Sequence, residues 1–128
     1  MPVTFKLNPD ANYVVATFSG VVTDEDVMDA YVTFYEGSEW VPGTNELVDL
    51  SDADVTPITV EGLVSLADYT ESVFRMHHVQ NLKTAIYAPG DLPFGLARMY
   101  SSLAASSPEK IRVFRRIYDA EEWLTGNS

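Results

Sequence analysis

The chain has 128 residues, 46% of them apolar, no cysteine and a formal net charge of −11. This length and apolar content predict one folded domain over residues 1–128 and exclude a disordered chain, while the lack of cysteine excludes disulfides, a thiolate nucleophile and a Cys-ligated zinc site. The acids are concentrated in residues 1–64, so nucleic-acid binding is excluded by repulsion from the phosphates.

Two features of the sequence bear on localisation. No apolar run approaches the roughly 20 residues that span a bilayer. The N-terminal stretch MPVTFKLNPD has neither the basic nor the apolar region of a secretion signal. We therefore expect a cytoplasmic protein.

The first predicted elements are a β-hairpin and a helix. Two runs of β-forming residues, 3–8 and 12–20, are separated by Pro-Asp-Ala, which favours a turn. Thr23 is followed by three acids, a pattern typical of a helix N-terminus. Apolar residues then repeat at helical spacing as far as Gly37, where the helix is predicted to end.

The rest of the chain alternates strands with helices. ELVDLS (46–51) predicts a buried central strand, DADVTP the loop after it, and Thr56 or Thr59 the cap of a helix that runs to about His78. The remaining predicted elements are a strand at 82–89, a helix at 92–107, a strand at 110–115 and a helix at 118–124. This order predicts an α/β layered fold with about four helices and a mixed, mostly parallel sheet, to which the N-terminal hairpin adds an antiparallel edge.

Three acids cluster where the central strand is predicted to end: Asp49, Asp52 and Asp54. Such a cluster could indicate a phosphoryl-acceptor site or a calcium-binding loop. A receiver-type phosphoryl acceptor needs a lysine at the end of a later strand, and the strand at 82–89 ends without one. A calcium loop that starts at Asp49 would need glycine at its sixth position and glutamate at its twelfth. Asp54 and Val60 stand there instead. We predict a solvated polar segment, with no metal and no cofactor.

Catalytic motifs are missing from the chain. The only histidines, His77 and His78, are adjacent, and neighbouring helical residues point about 100° apart, so they cannot act as an i, i+4 metal pair. The chain contains no G-x-S-x-G, G-x-G-x-x-G, P-loop or H-E-x-x-H pattern. The sequence therefore predicts a protein that is not an enzyme.

Two long segments carry a family resemblance. VDLSDADVTPITVEGL and IYAPGDLPFGLARMYSSLAASSPEKIRVFRRIYDAEEWL, together with the element order, resemble the SpoIIAA-like (STAS, or STAS/SEC14-type) domains of small bacterial proteins. Phosphorylatable members carry a D-L-S strand and a D-S-S-G-L helix start. Residues 49–51 and 62–63 match this pattern, whereas Thr59, Val60 and Glu61 replace the aspartate and the two serines. The resemblance implies a SpoIIAA-like fold without the phosphorylatable serine.

The first functional hypothesis is a non-enzymatic regulatory module that binds a protein partner. In α/β sheets, ligands bind where strands lead into helices, outside the carboxyl ends of the strands. The partner-facing residues predicted here are Ser51, Asp52, Asp54, Thr56 and Thr59. Whether Thr56 or Thr59 takes the place of the phosphorylated serine is left open.

The second hypothesis follows from the resemblance to SEC14-like relatives, which implies a small apolar-ligand or lipid-binding domain that associates with membranes. Its predicted pocket residues are Phe74, Phe94, Arg98, Met99 and Tyr100. The alternative for the aromatic residues is simple core packing, because they lie at core helical spacing.

Two further expectations concern the surface. Tyrosine and tryptophan are frequent for so small a chain, which predicts either burial or the interface of a homodimer. The predicted last strand carries a group of bases, interpreted as charges that protect an edge strand from pairing with other chains. These bases are Lys110, Arg112, Arg115 and Arg116.

Overall fold

The computed structural model describes residues 2–126, in which a β-sheet has helices packed on both faces. The elements are β1 Val3–Asn8, β2 Tyr13–Val21, α1 Asp24–Glu36, β3 Asn45–Asp54, α2 Val60–Met76, β4 Leu82–Tyr87, α3 Asp91–Leu103, β5 Glu109–Phe114 and α4 Ile117–Thr125. This confirms the predicted α/β layered fold, with every predicted strand and helix present.

The strands lie in the order β1-β2-β3-β4-β5. β1 and β2 pair in antiparallel fashion, and all other neighbours are parallel. The predicted antiparallel hairpin and the central position of β3 are therefore confirmed. β5 lies at an edge of the sheet, as predicted, and carries Lys110 and Arg112, whereas Arg115 and Arg116 follow the strand.

The sheet separates two apolar clusters because successive side chains of a strand point to opposite faces. On one face Val48 and Ile86 pack with residues of α1, α2 and α3. On the other face Leu47 and Ala85 pack against Ala120, Trp123 and Leu124 of α4. The three crossover helices thus share one face, and α4 covers the other.

The end of β3 differs from the prediction. The segment expected to be a loop continues the strand to Asp54, so Ser51, Asp52 and Asp54 are strand residues. A register shift between β2 and β3 after Thr17 lets the last residues of β2 pair with residues 52–54 of β3. The polar composition indicated a loop, but these pairings hold the backbone extended while the side chains of Ser51, Asp52 and Asp54 stay exposed.

Helix boundaries depend on caps. Thr23 caps α1, as predicted, and the Asp26 carboxylate accepts in turn from the Thr23 N–H. Of the two candidates for α2, Thr59 is the cap, and its hydroxyl accepts from the Gly62 N–H at 3.0 Å. α3 ends at Leu103, four residues before the predicted end, because the chain turns at residues 104–106.

Candidate functional site

A cavity of about 100 Å³ lies between the sheet and helices α1, α2 and α3. Its strand walls are the residues of β3, β4 and β5 that face these helices, so it extends from Glu46 to Leu50 of β3. Four residue steps along a strand cover about 13 Å, so the cavity is long and narrow. Most of its lining is apolar, which includes Val27, Leu63 and Leu96 from the three helices.

One end of the cavity contains a buried carboxyl group. Glu46 is 6% exposed and lies on β3 in phase with Val48 and Leu50, which places it on the cavity face of the sheet. The Tyr31 hydroxyl donates to its Oε2 at 2.5 Å. Burial raises the pKa of Glu46 to about 8, against the lowering effect of the Tyr31 hydrogen bond, and the charge of Glu109 raises it further. The group is therefore mainly protonated at neutral pH.

A second carboxyl group lines the same end. Glu109 opens β5, and the hydroxyl of the buried Thr84 on β4 donates to its Oε2. The residue as a whole is partly exposed, yet its Oε1 is buried and has no hydrogen-bond partner among residues 2–126. Burial raises the pKa of Glu109 to about 7, although the Thr84 hydrogen bond lowers it. This carboxyl can accept or release a proton at neutral pH.

Phenol groups complete the polar part of the lining. Tyr31 and Tyr35 lie one turn apart on α1, and Tyr100 reaches the cavity from α3. Burial raises the pKa of all three, and the nearby glutamates raise it further. Tyr100 shares a hydrogen bond of 3.2 Å with the buried Thr70 hydroxyl. The phenols therefore remain protonated hydrogen-bonding groups over the physiological pH range.

The starts of α1 and α2 meet at the other end of the cavity. Asp24 accepts from the Thr59 backbone N–H at 2.9 Å and from the Thr59 hydroxyl at 2.5 Å. A Cβ on Gly62 would lie 2.2 Å from the Asp24 carboxyl carbon, so only glycine permits this approach. Asp24, Val55 and Gly62 all line the cavity, and this junction forms its wall near the carboxyl end of β3.

The predicted partner-facing residues lie along the end of β3 and the turn after it. Asp54 accepts from the Thr56 N–H and hydroxyl, and Asp49 binds Ser51 in the same way. The hydrogen bonds to Thr56 lower the pKa of Asp54. These local turns account for the side-chain hydrogen bonds of the four residues, and partner binding stays a prediction.

The predicted pocket residues are dispersed. Tyr100 lines the cavity, whereas Phe74 is 1% exposed and packs edge-on against Tyr35, with 5.6 Å between ring centroids. Phe94 lies beneath the Arg115 guanidinium, whose carbon is 4.0 Å from the ring centroid. The side chains of Arg98 and Met99 are exposed. The residues of α3 that line the cavity are Pro93, Leu96, Ala97 and Tyr100, which form the helix face next to that of Met99.

The aromatic residues cited for a homodimer are largely inside this chain. Of the tyrosines and tryptophans within residues 2–126, only Tyr118 is exposed over most of its surface, at 66%. Packing within one copy thus explains the others, and dimerisation stays a prediction. Among residues 2–126 no group of three or more acidic or histidine side chains is placed to hold a metal ion.

Sequence reasoning missed both glutamates of the cavity. The signal was present in the strand alternation, because Glu46 is in phase with Val48 and Leu50, and Glu109 is in phase with Ile111 and Val113. A charged residue in phase with the core residues of a strand indicates a buried acid that needs a partner. In the sequence-based prediction, Glu46 only opens its strand and Glu109 lies just before the strand at 110–115.

Comparisons with known proteins identify the fold. No protein-family model matches the chain, and no curated protein matches it significantly. Among solved structures, the chain is similar to an uncharacterised protein of the DUF3478 family with a SpoIIAA-like fold from Shewanella loihica PV-4. The TM-score is 0.58 at 19% sequence identity, and the match covers 95% of this chain and 91% of the other. The predicted SpoIIAA-like fold is thereby confirmed. No helix within residues 2–126 has both the length and the apolar character needed to cross a membrane.

Proposed function

We propose that this SpoIIAA-like domain binds a small, largely apolar molecule in the cavity between the sheet and α1–α3, and that it acts by binding without catalysis. The observation that carries the proposal is the cavity itself. Natural cores are packed with few voids larger than a water molecule. A cavity of about 100 Å³, lined mainly by apolar side chains, is larger than such voids and is suited to a small ligand.

The volume limits the size of the ligand. An engineered apolar cavity of about 150 Å³ accommodates benzene, and sites for drug-sized molecules measure about 300 Å³ or more. A cavity of about 100 Å³ therefore suits a molecule of about five or six non-hydrogen atoms. Of the two ligand types implied by the resemblance, the small apolar ligand fits better than a lipid, whose chain would require the helices to separate.

The test is a titration of the isotopically labelled protein with 1-butanol and with benzene, followed by NMR. Probe binding should shift the resonances of cavity residues such as Leu63 and Leu96. Ala97 lines the cavity and is 4% exposed, so Ala97→Leu should fill the space and abolish these shifts. Ala105→Leu makes the same change at an exposed position and should leave them intact. Equal shifts in both variants, or no shift in the unmodified protein, would contradict the proposal.

A protein-binding regulatory role is the second candidate. It is supported by exposed apolar residues next to the segment formed by residues 51–59. Val60 and Val64 lie one turn apart on α2 and are 49% and 38% exposed. A photo-crosslinking residue at Val60 should capture a discrete partner in cells, while the same residue at Ala105 should not. Identical labelling at the two positions would argue against this role.

A further inference from the structure

The titratable side chains that line the cavity are acids and phenols. Two carboxyl groups, Glu46 and Glu109, line one end of it, and Asp24 lines the other. Among residues 2–126, no lysine, arginine or histidine lines the cavity. Buried carboxylates are normally paired with a cation or fully hydrogen-bonded. The complementary partner is therefore a positively charged group or a strong hydrogen-bond donor.

Glu109 shows where that donor would bind. Its Oε2 already accepts from Thr84, while its Oε1 is buried and has no partner in the described part of the chain. An orphaned buried oxygen of this kind costs stability, unless a ligand or a water satisfies it. The remaining lining is apolar, so a molecule that satisfies Oε1 must also present an apolar body to Val48 and Ile86.

We propose, building on the small-molecule function above, that the cavity binds a primary amine with a short apolar body, held as an ammonium ion by Glu109. The ammonium group donates to Oε1 of Glu109, and its other two N–H bonds face the remaining oxygens of the polar end, which belong to Glu46 and the phenols. The apolar body runs along β3 toward Leu50. The net charge of −11 also favours the approach of a cation over that of an anion.

Proton balance is consistent with this ligand. Glu109, with a pKa of about 7, exists in both forms at neutral pH, so little free energy is needed to ionise it. Glu46, with a pKa of about 8, remains mainly protonated. When an ammonium ion binds, the Glu109 O–H bond breaks, the electron pair stays on the carboxylate, and the proton leaves to solvent. One positive charge then faces one negative charge.

The pH dependence follows from the titratable groups of the cavity. Besides Glu109, these are Glu46 from β3, Asp24, Tyr31 and Tyr35 from α1, and Tyr100 from α3, whereas α2 and β4 contribute none to the lining among residues 2–126. The raised pKa values of the phenols keep them neutral below pH 9. Glu46 itself becomes half ionised near pH 8, so ionisation of Glu109 governs amine binding between pH 6 and pH 7. The dissociation constant at pH 6 should be about fivefold higher than at pH 7.

The experiment compares n-butylamine, 1-butanol and butyrate by NMR titration of the whole protein at pH 7, where Glu46 is mainly protonated. These probes share one carbon chain and differ in their polar group. The amine should bind about tenfold to a hundredfold more tightly than the alcohol, and butyrate most weakly. Glu109→Gln has the same shape and cannot ionise, so it should remove the preference for the amine and keep the binding of the alcohol. Glu25→Gln, which removes a charge from an exposed position on α1, should change neither.

The outcomes separate this inference from the proposed function. If the alcohol binds as tightly as the amine, or if Glu109→Gln binds the amine as well as the unmodified protein does, the amine inference is overturned and the cavity function stands. If none of the three probes binds, both proposals are overturned. If the amine is preferred and its affinity falls at pH 6, with loss of the preference in Glu109→Gln, the inference is supported.

Discussion

Glu46 provides a direct test of whether a carboxyl group is buried in this cavity. The Glu46→Gln variant removes the ionisable group, keeps the size of the side chain and leaves a carbonyl oxygen that can accept from Tyr31. In the unmodified protein, burial raises the pKa of Glu46 from 4.5 to about 8. The perturbation is therefore electrostatic, and packing should be preserved.

The sign of the effect follows from proton binding. Between pH 4.5 and pH 8, Glu46 is protonated in the folded protein and ionised in the unfolded chain, so the folded state binds one more proton. The free energy of unfolding then falls as pH rises, by about 1.4 kcal/mol per pH unit from this group. Over the whole interval, the preference for the protonated form amounts to about 5 kcal/mol. Glutamine cannot ionise, so the free energy of unfolding of the variant should not fall with pH in this way.

The assay is urea denaturation at pH 5, 6, 7 and 7.5. At pH 5 the variant should lie within about 1 kcal/mol of the unmodified protein, since both side chains are neutral and hydrogen-bonded. By pH 7.5 the variant should have gained about 3 kcal/mol relative to the unmodified protein. Glu25→Gln controls for the loss of one negative charge at an exposed site. Parallel stability curves for Glu46→Gln and the unmodified protein from pH 5 to pH 7.5 would refute burial of this carboxyl.

Two further predictions concern the contact between the starts of α1 and α2. Gly62→Ala should destabilise the fold by about 1–3 kcal/mol in urea denaturation, because its Cβ displaces the Asp24 carboxylate from Thr59. Gly95→Ala in α3 is the control, because a Cβ there meets nothing within 4 Å, and it should stabilise the fold by about 0.5–1 kcal/mol. A loss of stability in both variants would instead indicate that the helices do not tolerate alanine for glycine in general. Thr59→Ala should cost about 1–2 kcal/mol through loss of the α2 cap, while Thr59→Ser should restore most of it. Thr56→Ala serves as the control, and an equal loss there would contradict the assignment of the cap to Thr59.

Some features of the fold depend on local patterns and could be predicted from the sequence. Thr23 with the acids after it indicates the start of α1, and the apolar run at residues 46–51 indicates the central strand. The alternation of strands and helices then predicts a parallel sheet, because consecutive parallel strands need a crossover. These features are set by neighbours in the chain, so the order of the residues is enough to reveal them.

The ends of strands and the buried faces of helices were harder to predict from the sequence. β3 continues to Asp54 because β2 pairs with it after a register shift, and no local pattern in residues 51–54 reveals that pairing. Met99 and Tyr100 are adjacent in an apolar helix, and either could face the core. Contacts with α2 and the sheet decide that Tyr100 does, and Met99 is 40% exposed.

The sequence by itself determined the layered α/β fold, its edge strand and the helix cap at Thr23, since each follows from the periodicity of apolar residues and from local hydrogen bonding. Tertiary structure alone decided the site. Glu46 and Glu109 are far apart in the chain, and they meet only because β3 and β5 both pair with β4, so that both glutamates lie beside Thr84. The raised pKa values and the unpartnered oxygen of Glu109 are consequences of burial, a property that a side chain acquires only when the helices close over the sheet.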